Sequence, residues 1–237
     1  MKRILAIAIA AAALLTLTTS CLLSLLLNDE PSGTKNAVDL GLSVKWATCN
    51  LGASSPEESG SFYAWGETKA KDKFTWSNYK WTYEEKSTYG DPILLRSKYN
   101  SNSNLGKVDK KTKLDTDDDA ARSKLGGKWR MPTKAELQEL IDKCDMTWTT
   151  KNGVKGMEIK SKSNGNSIFI PAAGMYGPVG NTNPTGGDKS EVGKSCYVWS
   201  SQCGTDGQVK ALCLKSNYKG ILNAGRDQGL TIRPVCD

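Results

Sequence analysis

The sequence predicts an α+β fold: two helices in its middle and a run of strands toward its end. Three observations carry that prediction. Thr133-Lys134-Ala135-Glu136 follows Pro132 as a capping box, with Leu137, Leu140, Ile141 and Cys144 at helical spacing behind it. Thr116 to Lys124 (TDDDAARSK) opens on acids, continues through Ala120-Ala121 and stops at Gly126-Gly127, which predicts a short second helix. Apolar runs bounded by turn residues then crowd residues 156–235, which predicts strands.

Taken in order, the chain begins with Lys2-Arg3, an apolar run from Ile4 to Leu15, and Thr18-Thr19-Ser20 before Cys21. Charged start, apolar middle and small-residue end are the parts of an export signal. Leu17-Thr18-Thr19-Ser20-Cys21 resembles the lipobox of bacterial lipoproteins, with Thr18 where Leu is usual. The resemblance implies a signal peptide at residues 1–20 and a diacylglycerol on the Cys21 sulfur. It further implies a lipid-anchored tether at 21–36, a single domain at 37–237, and an outer-membrane or cell-surface location. The alternative is an uncleaved signal anchor, since Ile4–Leu27 carries no charge and could span a bilayer as a helix. Either reading places the domain outside the cytoplasm.

Leu42, Val44, Trp46 and Thr48 alternate with polar or small residues and predict a half-buried strand. Pro56–Gly60 predicts a turn, and Ser61–Trp65 (SFYAW) a second strand. Residues 67–113, rich in Lys, Tyr, Trp and Asn, predict short elements and long loops. The capped helix is expected over Thr133–Lys143. Strands are expected at Gly156–Lys160, Ser167–Pro171, Tyr197–Ser201, Lys210–Lys215 and Leu230–Val235, with a Gly/Pro/Asn-rich loop between Tyr176 and Lys194. Trp46, Trp65, Trp129 and Trp199 read as core.

Composition bounds the chemistry. The chain has no histidine, which removes Ser-His-Asp and Cys-His catalysis and histidine zinc sites. A net charge of +7 with basic and acidic residues interspersed gives no nucleic-acid signature. Besides Cys21 there are Cys49, Cys144, Cys196, Cys203, Cys213 and Cys236, without CxxC spacing. In an exported chain they could pair or pack as free thiols.

Five phrases then line up in order: VDLGLSVKWATCNLGASSPEESGSFYAWGET, LDTDDDAARSKLGGKWRMPTKAELQELIDKC, NGNSIFIPAAG, YVWSS and LTIRPV. Together they resemble the Fibrobacter succinogenes major paralogous domain family over roughly residues 37–236. That resemblance implies a C-type lectin-like fold, two helices packed on small, mostly antiparallel sheets with long loops. It implies a surface lipoprotein, and a close Cys49–Cys144 disulfide pair. WRMPTKAEL also resembles a segment of formylglycine-generating enzymes, but none of the C-terminal cysteines lie five apart as in that family.

Asp117-Asp118-Asp119 lacks the alternating acids and glycine of a calcium loop and reads as helix capping. The carboxylates of calcium-dependent lectins are also missing: Asn183-Pro184-Thr185 and Trp199-Ser200-Ser201 stand there. No metal and no cofactor is therefore expected. Two candidate ligand surfaces remain. One is Trp76, Tyr79, Trp81, Tyr83 and Tyr89 among Lys73, Lys80 and Lys86, which either stack on a ligand or cover the core. The other is the Tyr176–Lys194 loop, with Asn181, Asn183 and Asp188. The sequence thus predicts a non-catalytic binding or adhesion module, held to the membrane through lipidated Cys21 and facing a glycan or protein ligand. The alternatives are a formylglycine-generating-like oxidative enzyme and a structural surface or fimbria-associated subunit.

Overall fold

A computed structural model describes residues 36–177 and 188–237. The signal and anchor readings, Cys21, Asn181 and Asn183 lie outside the described residues. In chain order the strands are β1 (Ala37–Val38), β2 (Lys45–Ala47), β3 (Thr82–Lys86), β4 (Pro92–Arg96), β5 (Trp129–Arg130), β6 (Cys144–Lys151), β7 (Val154–Ser161), β8 (Ser167–Pro171), β9 (Met175–Tyr176), β10 (Lys189–Ser190), β11 (Cys196–Cys203), β12 (Val209–Lys215), β13 (Tyr218–Ala224) and β14 (Val235–Cys236). The helices are α1 (Ala120–Leu125) and α2 (Lys134–Lys143). Every pairing between these strands is antiparallel. The fold is α+β. No helix among the described residues is long and apolar enough to cross a membrane.

The organising element is the sheet β11-β12-β13. Side chains alternate across a strand, so a strand buried on both faces reads as a continuous apolar run. Tyr197 and Trp199 of β11, with Val209, Ala211 and Cys213 of β12, face a core shared with Tyr63, Trp65, Tyr99 and Met131. Cys196 and Val198, with Leu212 and Leu214, face a second core with Leu40, Trp46, Leu137, Leu140 and Ile170. One three-stranded sheet therefore separates two hydrophobic layers.

Helix α2 packs on the second layer. Thr133 accepts from Glu136 N at 3.2 Å, and Glu136 accepts from Thr133 N at 2.8 Å, so both orphan donors are satisfied. Arg130 grips Glu136 in a two-pronged ion pair at 2.9 and 2.7 Å. Burial opposes the charge, but these bonds hold the Glu136 carboxyl below the usual carboxylate range. Cys144, expected on the helix stripe, instead turns extended and opens β6.

The expected Thr116–Lys124 helix is split. Thr116–Asp118 forms a single 3-10 turn, and α1 starts only after Asp119, whose extended backbone lets its carboxylate cap Arg122 N at 3.0 Å. The same carboxylate takes Met131 N at 2.9 Å, joining α1 to β5.

Ser61–Trp65 does not form a strand of its own. Its backbone is instead laced to Leu51, Leu230 and Arg226, with one isolated bridge between Tyr63 and Leu230. Ser167–Pro171 forms as expected, and the strands expected at Gly156–Lys160, Tyr197–Ser201 and Lys210–Lys215 run longer. The one around Trp46 shortens to β2, and Leu230–Val235 makes only isolated bridges before the short β14. β1, β5, β6 and β13 join them from stretches not assigned in the sequence. Trp46, Trp65 and Trp199 are fully buried; Trp129 is half-buried.

Arg233 is 0% exposed and has no carboxylate partner among the described residues. Its guanidinium donates to Asn50 Oδ1 (3.0 Å), Ala47 O (3.0 Å), Thr48 O (2.7 Å) and Phe169 O (2.7 Å). Burial pulls its pKa down to about 10. One side chain thus ties the N-terminal strand region, β8 and the C-terminal segment together. Among described residues β14 pairs directly with β2, which pairs in turn with β1, so the two ends of the domain share one sheet.

Candidate binding surfaces

The aromatic segment is divided by the fold. Tyr79 is buried, and its hydroxyl donates to Trp65 O at 2.7 Å. It faces inward and is lost as a ligand contact. Trp81 is half-buried, donates to Gly66 O at 2.9 Å, and lies under the ammonium groups of Lys80 (4.1 Å) and Lys98 (4.7 Å). Trp76 stacks on Tyr79 with ring centroids 5.5 Å apart and donates to Leu94 O at 3.3 Å. Tyr83 is half-buried on the β3–β4 hairpin beneath Lys107 at 4.9 Å. Tyr89, at the hairpin tip, is 93% exposed. Most of these rings cover core, as the second sequence reading allowed. Trp76 and Tyr83 keep open edges.

The acids Asp117-Asp118-Asp119 have separate tasks. Asp119 caps α1. Asp118 is buried and collects Lys98, Tyr99 and Lys80. Burial opposes its charge, yet hydrogen bonds from Lys98 and Tyr99 hold its carboxyl below the usual range. In Asp119 burial prevails over the backbone donors and the carboxyl is shifted upward.

The six cysteines of the described residues carry free thiols, five of them buried. Cys49 and Cys144, the pair implied by the resemblance, are not bonded. Cys49 Sγ donates to Thr48 Oγ1 at 3.6 Å, whereas Cys144 packs with Leu137 and Leu140 in the second core. Cys196 and Cys213 fall on opposite faces of the β11–β12 pair. Burial pushes the Cys196 thiol up to about 12 and raises those of Cys203 and Cys213. Such thiols are poor nucleophiles.

The described ends of the loop nominated from the sequence belong to a two-stranded ribbon, β9–β10. Lys189 reaches over the rings of Phe62 at 4.6 Å and Tyr176 at 6.0 Å. Asp188 is exposed at the start of β10. Gly174 lets the ribbon close, because a Cβ there would lie 2.1 Å from Ser190 O and its φ is +70°.

Just past β10 lies a concave site that sequence reasoning missed. It has a volume of ≈ 530 Å³, within the size range of small-ligand clefts. Pro171 and Ala172 line its floor. Glu57, Ser59 and the Gly153–Lys155 end of the β6–β7 hairpin line one side, and Val192–Lys194 the other. Backbone bonds fix these segments: Ala172 N to Lys155 O and Gly193 N to Ala172 O are both 2.8 Å. Ser59 O accepts from Asn50 Nδ2 at 2.9 Å, and Asn50 in turn takes Arg233, so the wall is tied to the buried guanidinium. Glu57 is held by Lys151 at 3.3 Å and Asn152 at 3.2 Å. The sequence signal for this feature is Asn152-Gly153, a two-residue hairpin turn whose residues both take positive φ.

Comparison of the chain with known protein families, curated proteins and solved structures found no match.

Proposed function

We propose that the chain is a lipid-anchored, extracytoplasmic, non-catalytic binding module of the C-type lectin-like kind, tethered through Cys21, with its ligand seat in the groove between Glu57 and Lys194. The observation that carries this reading is the groove itself: concave, partly apolar, and built from backbone segments pinned to the core. The placement of the cysteines supports the non-catalytic part. A pair able to oxidise a substrate needs accessible, ionisable sulfur, and burial raises the thiols of Cys144, Cys196, Cys203 and Cys213. The export signal and lipobox resemblance support the location. The order of the five sequence phrases supports membership of the Fibrobacter succinogenes major paralogous domain family.

The test uses the full chain in detergent, probed on a glycan array and against purified envelope and host-surface proteins. Binding of at least one ligand is expected, and Val192→Trp, which fills the groove from an exposed position, should abolish it. No ligand on either platform, or a ligand indifferent to Val192→Trp, would overturn the assignment of the seat.

A further inference from the structure

The rim of the groove is positively charged. Lys155 and Lys194 line it from opposite sides, and neither forms an ion pair among the described residues. The neighbouring carboxylates are engaged elsewhere. Glu57 is taken by Lys151 and Asn152. Glu191 accepts from Ser195 Oγ at 2.8 Å and pairs with Lys215 at 3.2 Å; these bonds, with a smaller share from Lys194, hold its carboxyl below the usual range. Two lysines that form no ion pair among the described residues, lining a partly apolar cavity, favour an anion.

The floor sets the rest of the ligand. Pro171, Ala172 and Val192 offer aliphatic surface, while Ser59 offers polar atoms on one wall. A purely apolar acid would leave that polar wall unpaired, and a bare inorganic anion would leave the floor uncovered. A carboxylate on a hydroxylated saturated ring matches all three features. We propose that the groove binds a small acidic sugar of the hexuronate kind, its carboxylate held by Lys155 and Lys194 and its C–H face on Pro171, Ala172 and Val192. The inference rests on the binding-module reading and adds the ligand class.

Calorimetric titration of the full chain in neutral detergent at low salt, with glucuronate and with glucose as probes, tests it. Glucuronate should bind at least about tenfold more tightly than glucose, and Lys155→Gln/Lys194→Gln should lose roughly that factor. Both lysines are exposed, so the double variant should melt with the wild type. Lys162→Gln, which removes an exposed lysine elsewhere, should leave the affinity unchanged. Equal binding of the two sugars, or full affinity in the double variant, would overturn the acidic-sugar inference. So would absent glucuronate binding while another ligand remains sensitive to Val192→Trp; in that case the binding-module reading stands. Failure of both sugars together with a blank ligand screen would overturn both.

Discussion

Two regions of this domain are held by different forces. The strands β6–β8 and β11–β13 rest on apolar alternation around two cores. The stretch from Gly66 to Asp118 has little sheet beyond the β3–β4 hairpin, and polar side chains close it onto its own backbone. Asp109 accepts from Tyr99 N, Asn100 N and Lys111 N at 2.8, 2.9 and 3.1 Å. Asn100 Nδ2 donates to Asn102 O and Lys107 O. Arg226 reaches in from the strand region to Lys98 O, Tyr99 O and Gly207 O. The difference shows how an irregular segment can be ordered without a ladder: side-chain partners supplement scattered backbone bonds such as Lys107 N to Arg96 O at 2.9 Å.

The contrast can be broken by mutation. The largest effect is expected at Arg233, which joins the strand region. Arg233→Ala leaves Asn50 Oδ1 and three buried carbonyls without this donor and should cost on the order of 4 kcal/mol in denaturant unfolding. Next comes Asp118→Asn, which weakens the hub for Lys80, Lys98 and Tyr99. A loss of about 2 kcal/mol is expected, with faster amide exchange confined to residues 66–118. Loss spread evenly over the sheets would contradict the division.

Acid should also separate the two regions. Asp109 and Asp118 have carboxyl pKa values below the usual range, because hydrogen bonds outweigh the cost of burial. A depressed folded pKa contributes stability that is complete above the unfolded carboxylate value. That stability is lost as pH falls through the folded one. Amide exchange followed downward from pH 5 should therefore show the 66–118 stretch opening before β11–β13. Asp119, shifted upward, contributes in the opposite sense: its share is complete at low pH and lost as pH rises through its folded value.

Smaller effects sharpen the picture. Tyr79→Phe removes the buried bond to Trp65 O and should cost about 1 kcal/mol in thermal unfolding. Lys107→Ala removes a cation from above Tyr83, and the smallest loss in melting temperature of the series is expected.

The same division explains what the sequence revealed. Helix α2 was legible because its capping box and apolar stripe are local, and β8, β11 and β12 because burial on two faces writes a continuous apolar run. β6 was hidden: its half-exposed CDMTWTTK has no clear apolar face, and only Asn152-Gly153 marks it as half of a hairpin. The Asp118 hub was not legible, since Lys80 and Lys98 lie 38 and 20 residues away along the chain. The groove draws on separated segments that carry no motif, so only the folded chain brings Glu57, Lys155 and Lys194 to one rim. Of the residues nominated for binding, Tyr79 is buried, and ring chemistry alone does not distinguish a sugar platform from a core cover.

The lipid anchorage proposed above would hold the domain outside the cytoplasm through Cys21. Metabolic labelling with palmitate, comparing wild type with Cys21→Ala, tests it most directly. Label is expected on the wild type and not on the variant, which should be released from lipid anchorage. Label that survives Cys21→Ala would contradict it.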